Sequence, residues 1–358
     1  MISSKILNNT IPLCFLPDGR LVCYHYGSVL LMRDEIVQAV LSLPVGLKER
    51  MAGRGRILTR LLRFGVRAAI ALDNEHLIIS IGNLLYELDL HQGVLSPGWN
   101  CGEGIRPLVF SMVKDVTGLD DGVYFGGYLK NNNKKPVSIY HHIDVDNWDV
   151  IYTFPEGAIN HIHTIVPDKF RNCLWLLTGD FGDAAAIWKV TDGFRKVERV
   201  AFGDQKWRGC VAFALPEGLL YATDTPFADN HIYLLKDDKT VESISAISGS
   251  CIYGCQWKDS FVFSSTVEAD GRDETPWKLL TSKKRGKGIK DDYVRMYVGN
   301  LADGFEEVYK VKKDWLPFAF QFGVFKFPIG TNSSNTLYCQ PVATSANDMK
   351  LIGMTFNI

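Results

Sequence analysis

The chain has 358 residues, with 39 Lys and Arg against 40 Asp and Glu. A formal charge of -1 gives no global pull toward nucleic acid or an anionic membrane. The 46% hydrophobic and 12% aromatic shares suit a soluble strand-rich protein, and no apolar run has secretory or transmembrane length.

The eight cysteines are scattered, mostly inside apolar runs such as Leu13-Cys14-Phe15 and Leu21-Val22-Cys23-Tyr24. With no CxxC pair, they read as reduced, buried thiols of a cytoplasmic protein, the alternative being a disulfide framework.

Taken in chain order, residues 2–7 form a first strand-like run, and short apolar runs then recur, each introduced by turn residues. Pro17-Asp18-Gly19 leads into 20–24, Asp73-Asn74-Glu75 into 76–81, and Asp120-Asp121-Gly122 into 123–128. Arg171-Asn172, Pro216-Glu217-Gly218, Lys258-Asp259-Ser260 and the polar stretch 332–335 introduce the later ones. Asp, Asn and Gly supply the turn conformations, and the runs are rich in Val, Ile, Phe and Tyr.

One unit reads cleanly as four strands, 211–215, 219–222, 232–235 and 241–247, within about 40 residues, the period of a propeller blade. The same count gives units near 11–45, 66–100, 107–155, 161–203, 208–248, 251–314 and 318–358. The expected fold is therefore all-β: a single seven-bladed β-propeller spanning 1–358, with six blades as the alternative. The last unit shows only three strands, so residues 2–7 are expected to add its outer strand and close the ring, removing two free edges. Thr191-Asp192-Gly193-Phe194 and Ala302-Asp303-Gly304-Phe305 each fit a tight hairpin between third and fourth strands.

Two segments break the period. Residues 48–67 carry Arg50, Arg54, Arg56, Arg60, Arg63 and Arg67, with one or two helical turns expected over 57–64. Residues 268–290 contain Lys283-Lys284-Arg285-Gly286-Lys287 and read as a mobile surface insertion. Both basic runs read as solvated loops or as patches for an anionic partner; for 50–67 that partner includes a membrane surface.

In a four-stranded meander the loop entering strand one and the loop joining strands two and three share one end. Arg106, His161, His163, Gln205, Trp207 and Arg208 precede first strands; Tyr128, Asn131, Asp180, Asp183, Asp224, Asn230, Glu268 and Asp270 follow second strands. These residues are expected to converge on one channel mouth. His161 and His163, two apart on an extended segment, face one way. They read as metal ligands with Asp180 as a third, as acid/base groups, or as structural hydrogen-bonders. The favoured assignment has no cofactor; a divalent metal is the alternative. Arg106 and Arg208 read as forks for a carboxylate or phosphate, or as braces between blades. Asp180 and Asp224 form a candidate catalytic carboxylate pair, or ordinary turns. Trp207 and Tyr128 suit stacking on sugar rings, or blade packing. No Walker, GxSxG, HExxH or dinucleotide motif is present.

His161-Ile162-His163, Leu177-Thr178-Gly179-Asp180, Ile187-Trp188, the run 203–208 and Thr223-Asp224-Thr225-Pro226 together resemble the sialidase-like (BNR, Asp-box-related) propeller superfamily. They are most similar to its poorly characterised members found beside surface-polysaccharide biosynthesis genes. The two Asp-Gly-Phe segments are degenerate relatives of that superfamily's Asp-box, and only two mouth arginines of a sialidase triad, Arg106 and Arg208, can be named. The resemblance implies a carbohydrate role rather than sialidase activity itself.

The resulting expectation is a cytoplasmic, carbohydrate-active propeller working on an acidic or phosphate-bearing sugar in bacterial surface-glycan metabolism, by glycosidase-like or glycosyl-transfer chemistry. Asp180, Asp224, His161 and His163 would be catalytic, and Arg106, Arg208, Gln205, Tyr128, Asn131, Asn230 and Trp207 would bind substrate. The competing readings are a non-catalytic glycan-binding or protein-interaction scaffold, and a polysaccharide lyase with a histidine base.

Overall fold

Strands begin after the turn residues named above, and seven antiparallel sheets result. The computed structural model describes residues 2–33, 36–43, 45–46, 55–63, 65–270 and 280–356. Blade 1 is Thr10–Phe15, Leu21–His25, Ser28–Arg33 and Ile36–Ser42. Blade 4 is His161–Asp168, Cys173–Gly179, Ala186–Thr191 and Lys196–Phe202, and blade 5 is Gly209–Leu215, Gly218–Thr223, Asn230–Leu235 and Val241–Ile247. Blades 3 and 6 follow the same plan over Ser111–Phe154 and Cys251–Lys312. Blade 2 differs at its rim, where Val94–Leu95 and Trp99–Asn100 both pair with Leu84–Asp89.

The ring closes as expected. Ile2–Asn8 runs antiparallel to Lys350–Thr355 and becomes the outer strand of blade 7, beyond Leu337–Val342 and Val324–Lys326. The innermost strand of that blade is shorter than the expected 318–327, because a 3-10 turn takes up Phe318–Phe320.

Burial explains the sequence pattern. Second strands such as Cys173–Gly179 are buried along their whole length, since a neighbouring blade covers each face. They therefore read as continuous apolar runs, whereas rim strands such as Ile36–Ser42 stay largely exposed. Each interface between blades holds its own apolar cluster, for example Leu220, Ala222, Phe261 and Phe263 between blades 5 and 6. All eight cysteines are free and buried within this framework.

The two interruptions are more structured than solvated loops. Residues 47–54, Phe64 and 271–279 lie outside the described residues. Arg56–Leu62 is helical, ended by Arg63 in the left-handed region at φ 54. Arg60 on this helix is fully buried: its Nε donates to Phe320 O at 2.7 Å, and its Nη1 donates to Asp314 at 2.5 Å and Asp348 at 3.0 Å. The described flanks of 268–290 make backbone hydrogen bonds to neighbouring loops. Gly286 N donates to Glu268 O, Gly288 N to Pro226 O and Lys290 N to Ser248 O, and Ile289 is buried.

Candidate functional site

The innermost strands of all seven blades line a central channel that encloses a cavity of about 410 Å³. One end of this channel is where first strands begin and second strands end, and the unusual polar residues gather there.

His161 opens the first strand of blade 4 and pairs with Gly179, the last residue of its second strand. The His161 and His163 rings meet edge to edge, with Nε2 atoms 3.0 Å apart. Each Nδ1 has a carbonyl partner, Leu129 O at 3.0 Å for His161 and Gly209 O at 2.9 Å for His163. A carbonyl only accepts, so both Nδ1 atoms carry their protons and both Nε2 atoms present lone pairs in the neutral rings. Asp180 Oδ1 faces the same point, 3.4 Å from His161 Nε2 and 3.3 Å from His163 Nε2. The close approach depends on Gly179, where a Cβ would fall 2.4 Å from His163 Cε1.

Arg208 joins this cluster from blade 5. Its Nη2 lies 3.3 Å from Asp180 Oδ1 and 3.5 Å from Asp224 Oδ2. Cys210 Sγ donates to the same Asp224 oxygen at 3.2 Å. Burial alone would raise the Asp180 carboxyl, but His161 and His163, when a ring carries a second proton on Nε2, and the Arg208 charge outweigh it and hold the group far below the carboxylate range. Burial opposes the Arg208 charge, yet Asp224, Asp180 and Glu268 raise its pKa above the ordinary arginine value. Asp224 Oδ1 and Arg208 Nε are buried with no hydrogen-bond partner among the described residues.

The remaining expected site residues divide. Tyr128 belongs to the cluster: its ring centroid is 4.5 Å from that of His161, and burial, with the Asp180 and Asp224 charges, pushes its phenol well above the ordinary value. Gln205 is a strut, with Nε2 donating to Asp180 O at 3.0 Å and Oε1 accepting from Thr225 Oγ1 at 2.7 Å. Asn131 shapes its own loop through Lys135, and Asn230 holds the Thr225 turn. Trp207 packs with the apolar cluster between blades 4 and 5, with Lys206 Nζ 4.6 Å from its ring centroid. The Asn131 and Asn230 side chains are buried in these loop contacts, and Trp207 is half-buried. Arg106 and Arg208 do not act as one fork: Arg208 braces two carboxylates, whereas Arg106 lies 5.8 Å from the Tyr128 ring centroid.

Arg106 instead faces a second cavity of about 220 Å³, which is lined also by Arg63, Arg67, Lys326, Tyr128 and Tyr253. No carboxylate among the described residues makes an ion pair with any of its four cations. Burial and the charges of Arg106 and Arg63 lower the Arg67 pKa. Deep burial, together with Arg67 and Arg63, pushes the Lys326 ammonium down to about 8. The Arg60 staple positions the segment that carries Arg63 and Arg67. Lys326 and Cys210 are the residues that sequence reading missed. The signal for Lys326 was a lone cation inside Phe325-Lys326-Phe327, an apolar run on an inner strand.

No protein family matches the chain, and no curated protein matches it. Solved structures do. An oligogalacturonate lyase in complex with manganese is similar at TM-score 0.60 and 11% identity, over 99% of this chain and 90% of that one. The Myceliophteria thermophila Cps50 (Swd1) β-propeller domain is similar at TM-score 0.56 and 8% identity, over 100% of both chains. The AfRom2 CNH domain is similar at TM-score 0.55 and 6% identity, over 99% of both. At these identities the likeness shows the propeller fold alone.

Proposed function

We propose that this propeller binds an acidic oligosaccharide at the channel mouth and cleaves it by β-elimination. The observation that carries the reading is the cavity wall of Arg63, Arg67, Arg106 and Lys326, four cations with no carboxylate partner among the described residues. Such a wall is costly until an anion neutralises it, and guanidinium forks match the carboxylate of a uronic acid. The lyase named among the similar solved structures acts on a substrate of that class, which agrees with the reading.

Hydrolysis by the Asp180 and Asp224 pair fits the geometry less well. A glycosidase needs one protonated carboxyl as its acid. Asp180 is held ionised beside the Arg208 guanidinium, and Asp224 shares that same guanidinium. Elimination needs a neutralised sugar carboxylate, a base for the proton beside it, and an acid for the departing oxygen. Arg63, Arg67 and Arg106 bind the carboxylate and acidify the C5 proton. Lys326, with its ammonium lowered to about 8, takes that proton as a free amine. The C5–H electrons form the C4–C5 double bond, and the C4–O bond breaks with its pair on oxygen. Tyr128, protonated throughout the neutral range, gives its proton to that oxygen. Lys326 thus takes the role that sequence reading offered to a histidine, since it lines the cavity and neither imidazole does.

The test is ultraviolet detection of an unsaturated uronate product from oligogalacturonate and other polyuronates. Lys326→Met should bind the oligomer and lose turnover; Arg67→Ala and Arg106→Ala should weaken binding. Binding with no unsaturated product from any uronate would leave a glycan-binding module and overturn the elimination step.

A further inference from the structure

We infer that His161, His163 and Asp180 form a binding site for one divalent transition-metal ion. This goes beyond the sugar reading and stands whether or not an oligosaccharide binds.

The two Nε2 lone pairs point at each other across 3.0 Å, with both Nδ1 protons spent on Leu129 O and Gly209 O. Neutral imidazoles so placed repel unless a proton or a metal ion lies between them. Donation of Nδ1–H to a carbonyl is also the usual support of a metal-bound histidine, because it fixes the tautomer and turns Nε2 toward the ion.

The third corner is Asp180 Oδ1, at 3.4 and 3.3 Å from the two nitrogens. With metal–ligand bonds of about 2.1 Å, neighbouring donors lie roughly 3.0 Å apart at a right angle and roughly 3.4 Å apart at the tetrahedral angle. The observed triangle falls within that span on all three edges. Two histidines and one carboxylate on one face leave the opposite positions open, the pattern of a first-row divalent ion that also takes water or substrate oxygen.

Charge and access agree with this assignment. Arg208 serves two carboxylates, Asp180 and Asp224, so the cluster with neutral imidazoles keeps one uncompensated negative charge. Asp224 Oδ1 is buried and unpartnered, and Asp224 and Cys210 flank His163 closely enough to form an adjoining donor group. The Asp180 side chain keeps 23% of its surface exposed, so the open side reaches solvent.

The experiment uses the full chain, purified without chelator. Elemental analysis should find close to one equivalent of a first-row divalent metal. After chelation and dialysis, calorimetric titration with Zn²⁺ and with Mn²⁺ should give one saturable site. Co²⁺ added to the wild-type protein should produce ligand-field absorption of a nitrogen- and oxygen-ligated ion, a readout that needs no variant. His161→Gln, His163→Gln and Asp180→Asn should each weaken Zn²⁺ binding at least 10-fold, as loss of a ligand does, with circular dichroism confirming the fold. His76→Gln, far out on blade 2, should leave it unchanged. Absence of stoichiometric metal together with no saturable binding of Zn²⁺, Mn²⁺ or Co²⁺ would overturn the assignment. So would binding that survives in both histidine variants.

Discussion

Replacing Arg60 by Ala should destabilise the protein more than removal of any other arginine among the described residues. The guanidinium has no exposed surface and serves Phe320 O, Asp314 and Asp348, whose side chains are 11% and 1% exposed. Alanine leaves the buried Asp348 and the half-buried Asp314 short of their main partner. Breaking a buried pair from one side costs about 3–5 kcal/mol. That is a large part of the roughly 5–15 kcal/mol that holds a typical domain together. Urea unfolding followed by tryptophan fluorescence measures it, as a lower midpoint with unchanged slope. Adding Asp314→Asn to Arg60→Ala should recover at least about 1 kcal/mol, because it deletes an orphaned charge rather than a contact. The pH dependence has a definite sign. Burial raises the Asp314 carboxyl, but Arg60 and Lys313 outweigh it and leave its pKa below the ordinary 3.8. The wild type therefore holds this contribution above 3.8 and loses it as pH falls through the lower folded value. Protonated carboxyls need no partner, so the gap between variant and wild type should narrow in that same acid window. A loss under about 1 kcal/mol at neutral pH would refute the staple.

Further outcomes follow from the same geometry. Turnover of a uronate should rise with pH up to about 8 as Lys326 loses its proton, and Lys326→Arg should bind but stay inactive at every pH; a profile flat from pH 6 to 9 contradicts Lys326 as base. Gly179→Ala should push the His163 ring aside, since the new methyl would lie 2.4 Å from Cε1, and should weaken Zn²⁺ binding about 10-fold or more while melting stays cooperative. A bulky disulfide reagent should label none of the eight cysteines in the folded protein and all of them in denaturant, because each thiol is buried and those of Cys14, Cys101 and Cys173 are pushed up to about 12. Deleting Ile2–Asn8 should bare the edge of Lys350–Thr355, lower the melting temperature and promote aggregation, measured by light scattering.

Local signals made the propeller readable. Asp-Gly and Asn-containing turns marked strand starts, and wholly buried second strands such as Gly218–Thr223 left unbroken apolar runs. The count of seven blades and the closing role of the N-terminal strand followed from that punctuation. Blade register also predicted one polar end, where His161, His163, Asp180, Arg208 and Asp224 do meet. Pairing across blades was not readable. Arg60 and its two carboxylates are 254 and 288 residues apart, so its charge looked like part of a solvated basic run. Arg208 looked like a free ligand fork, but its carboxylate partners lie in loops of blades 4 and 5 that only the closed ring juxtaposes. Arg63 and Arg67 were visible as charges, but the cavity they share with Arg106 and Lys326 exists only once blades 2, 3 and 7 surround the channel.

The central claim is that the cation wall recognises negative charge on a sugar. Calorimetric titration with an oligogalacturonate and with its fully methyl-esterified counterpart tests it most directly, because the two share one skeleton and differ in charge. The acid should bind at one site, with affinity that falls as salt is raised and is lost in Arg67→Ala/Arg106→Ala, and the ester should bind at least 10-fold more weakly. Equal affinity for acid and ester, or no binding of either, would contradict it.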